Sequence, residues 1–170
     1  TISSPTIVAA DSAKLDELAV LLRNAKRPLL WLGGGAQDAG TAVNRLAEMG
    51  IGAVASVHGR GTLPDDHPLS LGAFGATPAT EEFYKSVDLL IVVGSLLRGH
   101  ETRNYSLPLP RPLVRVDADP AADGRAYEND LFVLGDAADV LDGLADRLSE
   151  APRIDNSYAR DLAAAREASL

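Results

Sequence analysis

Arg27-Pro-Leu-Leu-Trp-Leu-Gly-Gly-Gly-Ala36 decides the reading of this chain. Its apolar segment, Leu29 to Leu32, runs straight into three glycines and then into a helix-like pattern. Buried strand, glycine turn, helix: that order predicts backbone N–H groups at a helix N-terminus facing an anion, usually a phosphate. The rest of the chain repeats the alternation of strand and helix.

Working outward, Asp11 to Asn24 reads as a helix with Leu15, Leu18, Leu21 and Leu22 on one face and Asp11 or Ser12 as its cap. On the other side of the glycines, Ala39, Ala42, Val43, Leu46 and Ala47 mark a second amphipathic helix, stopped by Gly50 and Gly52. Ala53 to Val57 is a short strand, and His58 to Pro68, with its glycines and prolines, is a loop. Thr77 to Ser86 forms a short helix, with Thr77 as cap and Pro78 at the first helical position. Asp88 to Gly94 (DLLIVVG) has the continuous apolar pattern of a strand buried on both faces. Leu113 to Asp119 and Leu131 to Asp136 are two further strands, after which Asp136 caps a helix running to Leu148. Strands separated mostly by helices imply parallel pairing with right-handed crossovers. The expected fold is therefore a three-layer, doubly wound α/β domain with a mainly parallel sheet. It occupies residues 1–150, and residues 151–170 form a helical tail or linker that docks weakly or frays.

A chain of 170 residues supports one domain with a real core. The net charge of −8 argues against nucleic acid and anionic membranes as partners. With no cysteine, disulfides and thiolate metal sites are excluded, which fits a cytoplasmic home. No apolar run approaches the roughly 20 residues of a membrane span. The start, Thr1-Ile-Ser-Ser-Pro5, has neither Met nor a signal-peptide pattern and reads as a piece of a longer polypeptide.

In a doubly wound sheet, ligands gather beyond the carboxyl ends of the strands. Those ends hold Gly33-Gly34-Gly35, Ser56-Val57-His58, Gly94-Ser95, Asp117-Ala118-Asp119 and Gly135-Asp136. Glycines admit a ligand close to the backbone and aspartates accept hydrogen bonds from ribose hydroxyls, so the set suits a dinucleotide. The plainer reading, that glycines end strands and aspartates cap helices, weighs equally. The fingerprint Gly33-x-Gly35-x-x-Asp38 has aspartate where a third glycine belongs. No acidic residue stands about 20 positions on to hold a ribose 2′-hydroxyl, which disfavours hydride transfer from NAD. His58 and His100 fall at strand ends and face one crevice, whereas His67 is a loop residue. No paired metal ligands and no GxSxG nucleophile are present. Arg98, Arg103 and Arg111 come after Gly94 and pair with phosphates, with carboxylates or with a neighbouring domain. Trp31 belongs to the core.

The ordered set Lys26-Arg-Pro…Gly33-Gly-Gly, Gly59-Arg-Gly-Thr-Leu-Pro-Asp-Asp-His-Pro68, Leu71-Gly-Ala-Phe-Gly75, Asp88 to Gly94, Val116-Asp-Ala-Asp-Pro120 and Gly135-Asp136 resembles the central domain of thiamine-diphosphate-dependent enzymes. That family includes acetolactate synthase, pyruvate oxidase, benzoylformate decarboxylase, benzaldehyde lyase and oxalyl-CoA decarboxylase. The resemblance covers residues 11–150 and implies a Rossmann-like, DHS-like NAD/FAD-binding fold. It also implies partner domains for thiamine diphosphate: a pyrimidine-binding domain with the catalytic glutamate, and a pyrophosphate-binding domain whose Gly-Asp-Gly…Asn motif holds Mg2+. This chain contains no Gly-Asp-Gly, so the resemblance implies a domain without catalytic or metal residues of its own, in a homodimer or homotetramer when complete.

In acetolactate-synthase-like relatives this domain binds FAD. The corresponding positions are Gly33, Gly34, Gly35, Ser56, Gly72, Ala73, Gly94, Ser95, Asp117 and Asp136. Flavin-binding relatives carry a GARFDDR-like segment where this chain reads Gly94-Ser-Leu-Leu-Arg-Gly-His100, so both arginines are replaced, by Leu96 and His100, and an aspartate by Arg98. The Gly-Ser-x-x-Arg form resembles the decarboxylase branch, whose central domains often lack flavin; oxalyl-CoA decarboxylase implies an ADP-type ligand instead. The expectation is thus a structural and assembly domain of an enzyme of 2-oxo acids, by decarboxylation or carboligation. The alternative is an FAD- or ADP-binding module. A sirtuin-like deacylase stands far behind, since it commonly needs cysteine-bound zinc.

Overall fold

Strand β3, Leu89–Val93, is buried along its whole length between two parallel neighbours, as its unbroken apolar sequence requires. It sits at the middle of a five-stranded sheet of order β2-β1-β3-β4-β5, in a computed structural model that describes residues 7–73 and 75–170. The Thr1–Pro5 lead and Phe74 of the Leu71–Gly75 motif lie outside the described residues. The other strands are β1 (Pro28–Leu32), β2 (Gly52–Ala55), β4 (Leu113–Asp117) and β5 (Leu131–Leu134), and every pairing is parallel. The doubly wound α/β expectation holds.

Alternation along each strand sends side chains to two faces. Leu30, Leu32, Ile91, Val93, Val114 and Val116 pack against α1 (Ser12–Asn24), α2 (Gly40–Glu48) and α4 (Ala137–Arg147). Leu29, Trp31, Leu90 and Val92 pack against α3 (Pro78–Tyr84) and α5 (Tyr158–Ala168). Each fully buried Leu, Ile or Val contributes about 1.5–3 kcal/mol relative to exposure, so these two clusters are what fold the chain.

The helix ends arise from local chemistry. The Asp11 carboxylate accepts from the Lys14 N–H at 3.2 Å and caps α1. Gly50, at φ +96°, closes α2: its N–H reaches the Ala47 carbonyl while the Ile51 N–H reaches Leu46. Thr77 and Thr80 form a reciprocal capping box on α3, with Pro78 behind the cap. Asp136 departs from expectation. It occupies the cap position of α4, but its side chain makes no cap; it accepts the Val8 N–H at 2.7 Å and ties down the approach to α1.

The expected weak tail is instead a docked helix. The Tyr158 hydroxyl is buried between the starts of β1 and β2, donating to the Pro28 carbonyl and accepting the Gly52 N–H at 2.9 Å. A Cβ at Gly52 would stand 2.8 Å from that hydroxyl, so glycine there makes room for α5. Arg27 adds ion pairs to Asp155 at 3.0 Å and Asp161 at 2.8 Å and lies over the rings of Phe83 and Tyr158. Arg166 donates to the carbonyls of His67 and Ser70. The alanine-rich sequence of α5 hides a narrow buried face, Tyr158, Leu162 and Ala165.

Candidate functional site

From β1 the chain winds to β2 on one side, then crosses to β3 on the other, so the order reverses between β1 and β3. A crevice opens outside the carboxyl ends of the strands at such a reversal. Here it is a pocket of about 280 Å3 lined by Gly34, Ser56, His58, Gly94, Ser95, Leu96, Arg98, His100 and Glu101. Ser56 and Ser95 are buried at its floor. The Ser95 hydroxyl donates to the Glu101 carboxylate at 3.3 Å and accepts the Leu97 N–H at 3.0 Å. The Glu101 side chain is only 12% exposed, and its other oxygen lies 4.0 Å from His100 Nε2. Two hydroxyls, a sheltered carboxylate, two imidazoles and a guanidinium make a polar lining suited to a ligand with hydroxyl donors and negative charge.

The glycine turn itself differs from the sequence expectation. The N–H of Gly33 donates to the Val93 carbonyl at 2.8 Å, that of Gly35 to Gly94 at 3.0 Å, and that of Ala36 back to Gly33 at 3.0 Å. A Cβ on Gly33 would overlap the Gly94 carbonyl oxygen, and one on Gly35 would lie 2.9 Å from the Gly94 Cα. Gly94 takes φ +62°. These glycines let the turns after β1 and β3 pack backbone against backbone, so the N–H groups of Gly33, Gly35 and Ala36, expected to face an anion, are already engaged. The turn leads into a 3-10 segment, Gly34–Ala39, before α2 begins.

Of the positions expected to hold a cofactor, the structure brings Gly34, Ser56, Gly94 and Ser95 together in the crevice. Gly33 and Gly35 lie in the packed turn just described. Gly72 and Ala73 stand beside β2, where the Gly72 carbonyl accepts the Ala55 N–H. Asp117 ends β4, its carboxylate accepting the Asp119 N–H at 2.9 Å, and half-burial pushes its pKa above the ordinary carboxylate value. Asp136 is taken up by Val8. Both His58 and His100 line the crevice, as their strand-end positions predict, and Trp31 is buried in the core. Arg103 and Arg111 are occupied by Glu81 and Asp130, leaving Arg98 at the pocket. Glu101 was not legible, because it sits on an irregular turn outside any motif. Among the described residues no three His, Cys, Asp or Glu side chains converge to hold a metal ion.

Next to this pocket a wider cleft of about 690 Å3 opens between the loops after β3 and β4, sharing Leu96, Arg98 and His100 with it and adding Tyr105 and Arg125.

Known proteins share both this sequence pattern and this sheet. The family model for the thiamine pyrophosphate enzyme central domain matches residues 15–144. A "Probable 2-ketoarginine decarboxylase" of Pseudomonas aeruginosa is 36% identical over 143 residues, covering 84% of this chain and 26% of that protein. The large subunit of acetolactate synthase isozyme 1 of Escherichia coli is 31% identical over 149 residues, covering 85% and 26%. A solved structure of a "putative thiamin diphosphate-dependent enzyme" from Mycobacterium smegmatis superposes with a TM-score of 0.72 at 32% identity, over 89% of this chain and 30% of that one. The chain spans about a quarter of the length of the curated relatives it matches.

Proposed function

The chain belongs to the thiamine pyrophosphate enzyme central-domain family, and from that premise we propose that it is the middle domain of an enzyme acting on 2-oxo acids by decarboxylation or carboligation. The observation that carries this reading is the family match across residues 15–144, which spans the entire sheet. In the whole enzyme, thiamine diphosphate would supply the carbanion-stabilising chemistry, held with Mg2+ by pyrimidine- and pyrophosphate-binding domains beside this one. This domain's own residues would position those neighbours and wall the approach to the reaction. Arg98 and His100, exposed at the crevice rim, are the side chains assigned to the side facing the neighbouring domain. The complete enzyme would be a cytoplasmic homodimer or homotetramer; among the described residues no helix is long and apolar enough to cross a membrane.

A second reading, an FAD- or ADP-type ligand in the crevice, is favoured by the pocket's place at the strand-order reversal and by its hydroxyl and carboxylate lining. The engaged N–H groups of Gly33 and Gly35 do not fit a diphosphate seated on the first turn.

The test is an assay of the full-length polypeptide containing this chain with a panel of 2-oxo acids, with and without thiamine diphosphate and Mg2+. Carbon dioxide release that requires both, and that the isolated chain lacks, is expected. Turnover by the isolated chain, or none by the full polypeptide on any 2-oxo acid, overturns the reading.

A further inference from the structure

An aspartate followed by glycine is open to a spontaneous rearrangement of the main chain, because glycine has no side chain to keep its nitrogen away from the neighbouring carboxyl group. This chain contains the pair twice, at Asp123-Gly124 and Asp142-Gly143. The two stand in opposite surroundings. Gly143 lies within α4, where its nitrogen is committed to the carbonyl four residues back and a Cβ would come 2.7 Å from the Leu15 side chain of α1. The Asp142 carboxylate is held by Arg45 at 3.0 Å. Asp123 and Gly124, by contrast, are exposed in the loop after β4, and a Cβ on Gly124 would meet no atom within 4 Å. Packing does not shield them.

One side chain holds this second pair. The Asn129 Nδ2 donates to Asp123 Oδ1 at 2.9 Å, and the Asn129 Oδ1 accepts the Gly124 N–H at 2.6 Å. The two groups that would react are therefore bound to the two ends of a single planar amide. The turn around them matters to the core beneath. Arg115, on β4, is wholly buried; its Nη1 donates to the Ala122 carbonyl at 2.6 Å, and its Nε and Nη2 have no partner. The same carbonyl accepts the Arg125 N–H at 3.1 Å, a bond that spans the Asp123-Gly124 linkage.

We propose that Asp123-Gly124 is a self-modification site, where the chain isomerises to isoaspartate, and that Asn129 is the side chain that restrains it. The Gly124 nitrogen attacks the carboxyl carbon of the Asp123 side chain. A C–N bond forms, the ring closes as a five-membered succinimide, and the carboxyl hydroxyl leaves as water with the amide proton. Water then adds at the former main-chain carbonyl of Asp123 and breaks its bond to nitrogen. The main chain now runs through Cβ and Cγ, and a free α-carboxylate remains. One water leaves and one returns, so the mass is unchanged and no co-reactant is needed. The added methylene would distort the turn that holds Arg115, leaving a buried guanidinium with no partner at all. None of this chemistry depends on thiamine diphosphate or on neighbouring domains.

The experiment is prolonged warm incubation of the chain at mildly acidic pH. Isoaspartate is located by peptide mapping and counted by methyl transfer from labelled S-adenosylmethionine with an isoaspartyl methyltransferase. It should accumulate at Asp123 and not at Asp142, and about tenfold or more slowly in the folded chain than in urea. Asn129→Ala should speed it about tenfold or more, as expected for two lost hydrogen bonds. Tyr127→Phe, which frees the same loop from the Leu107 carbonyl without touching Asn129, should leave the rate within about twofold. Asp123→Glu, whose longer side chain would have to close a six-membered ring, should abolish the product at that position. The proposal is overturned if isoaspartate forms first at Asp142, if it is absent from Asp123 in Asn129→Ala, or if that variant reacts no faster than the parent chain. It is equally overturned if Tyr127→Phe accelerates the reaction as much, which would assign the restraint to the loop as a whole. Should Asn129→Ala lose its cooperative melt, the parent chain decides: equal rates folded and in urea overturn the proposal, and a slower folded rate supports it.

Discussion

The two ends of the sheet are built on opposite principles. At the amino ends of β1, β2 and β3, side chains hold the backbone: the Asp88 carboxylate accepts both the Lys26 and Arg27 N–H groups at 2.9 Å, and Tyr158 joins Pro28 to Gly52. At the carboxyl ends, loops carry left-handed residues, unpaired arginines and exposed apolar side chains such as Val57, 73% exposed. The difference teaches where this fold keeps its stability and where it leaves groups available for contact. A rim that satisfied itself completely would have nothing left for a ligand or a neighbouring domain.

The largest test of that division is a change at the base of the carboxyl-end rim, in the packed turns after β1 and β3. Gly33→Ala places a methyl on the Gly94 carbonyl, a backbone atom that has no side-chain freedom to yield. Destabilisation of more than about 3 kcal/mol in urea unfolding is expected. A loss below about 1 kcal/mol would mean the turns do not pack as described.

Next in size is the amino end. Tyr158→Phe leaves the Gly52 N–H and the Pro28 carbonyl without their shared partner, costing about 1–3 kcal/mol. Hydrogen exchange at Gly52 should accelerate in the same variant, and an unchanged rate would contradict the bridge.

Acid provides a graded test. The Arg27 guanidinium holds the Asp161 carboxyl below its usual range, and Arg111 does the same for Asp130. A carboxyl depressed in the folded state stabilises it above the unfolded pKa of about 4 and loses that contribution as pH falls through the folded value. Asp117 runs the other way, since its pKa is raised by burial and its protonation in acid favours the folded form. Limited proteolysis from pH 6 down to 3 should therefore release α5, where Asp161 sits, and cut the loop after β4 at its Asp130 end, before it touches the packed turn after β1. The reverse order would break the comparison. The smallest effect belongs to the rim surface: Val57→Ser should change stability by no more than about 0.5 kcal/mol, measured by thermal melting.

The strands were plain in the sequence because burial on both faces demands continuous apolar runs such as DLLIVVG and LLWL. The crevice was half legible. Gly34, Ser56, Gly94 and Ser95 could be placed because strand ends converge wherever a parallel sheet is doubly wound. Whether a glycine admits a ligand or a neighbouring backbone depends on the distance between two turns about sixty residues apart, and no local pattern encodes that. Arg115 in Leu-Val-Arg-Val-Asp alternates like an outward residue of a strand, and only the folded loop above it makes it buried. Tyr158 was missed for a related cause: alanines around it dilute the period by which an amphipathic helix announces its inner face.

The bond from Tyr158 to Pro28 spans 130 residues of chain. A ribosome adding about 5–20 residues per second needs on the order of ten seconds to deliver the second partner after the first. Throughout that interval the nascent polypeptide carries Leu29 and Trp31 with no α5 to shelter them, and molecular chaperones or the growing sheet itself must keep them from other chains.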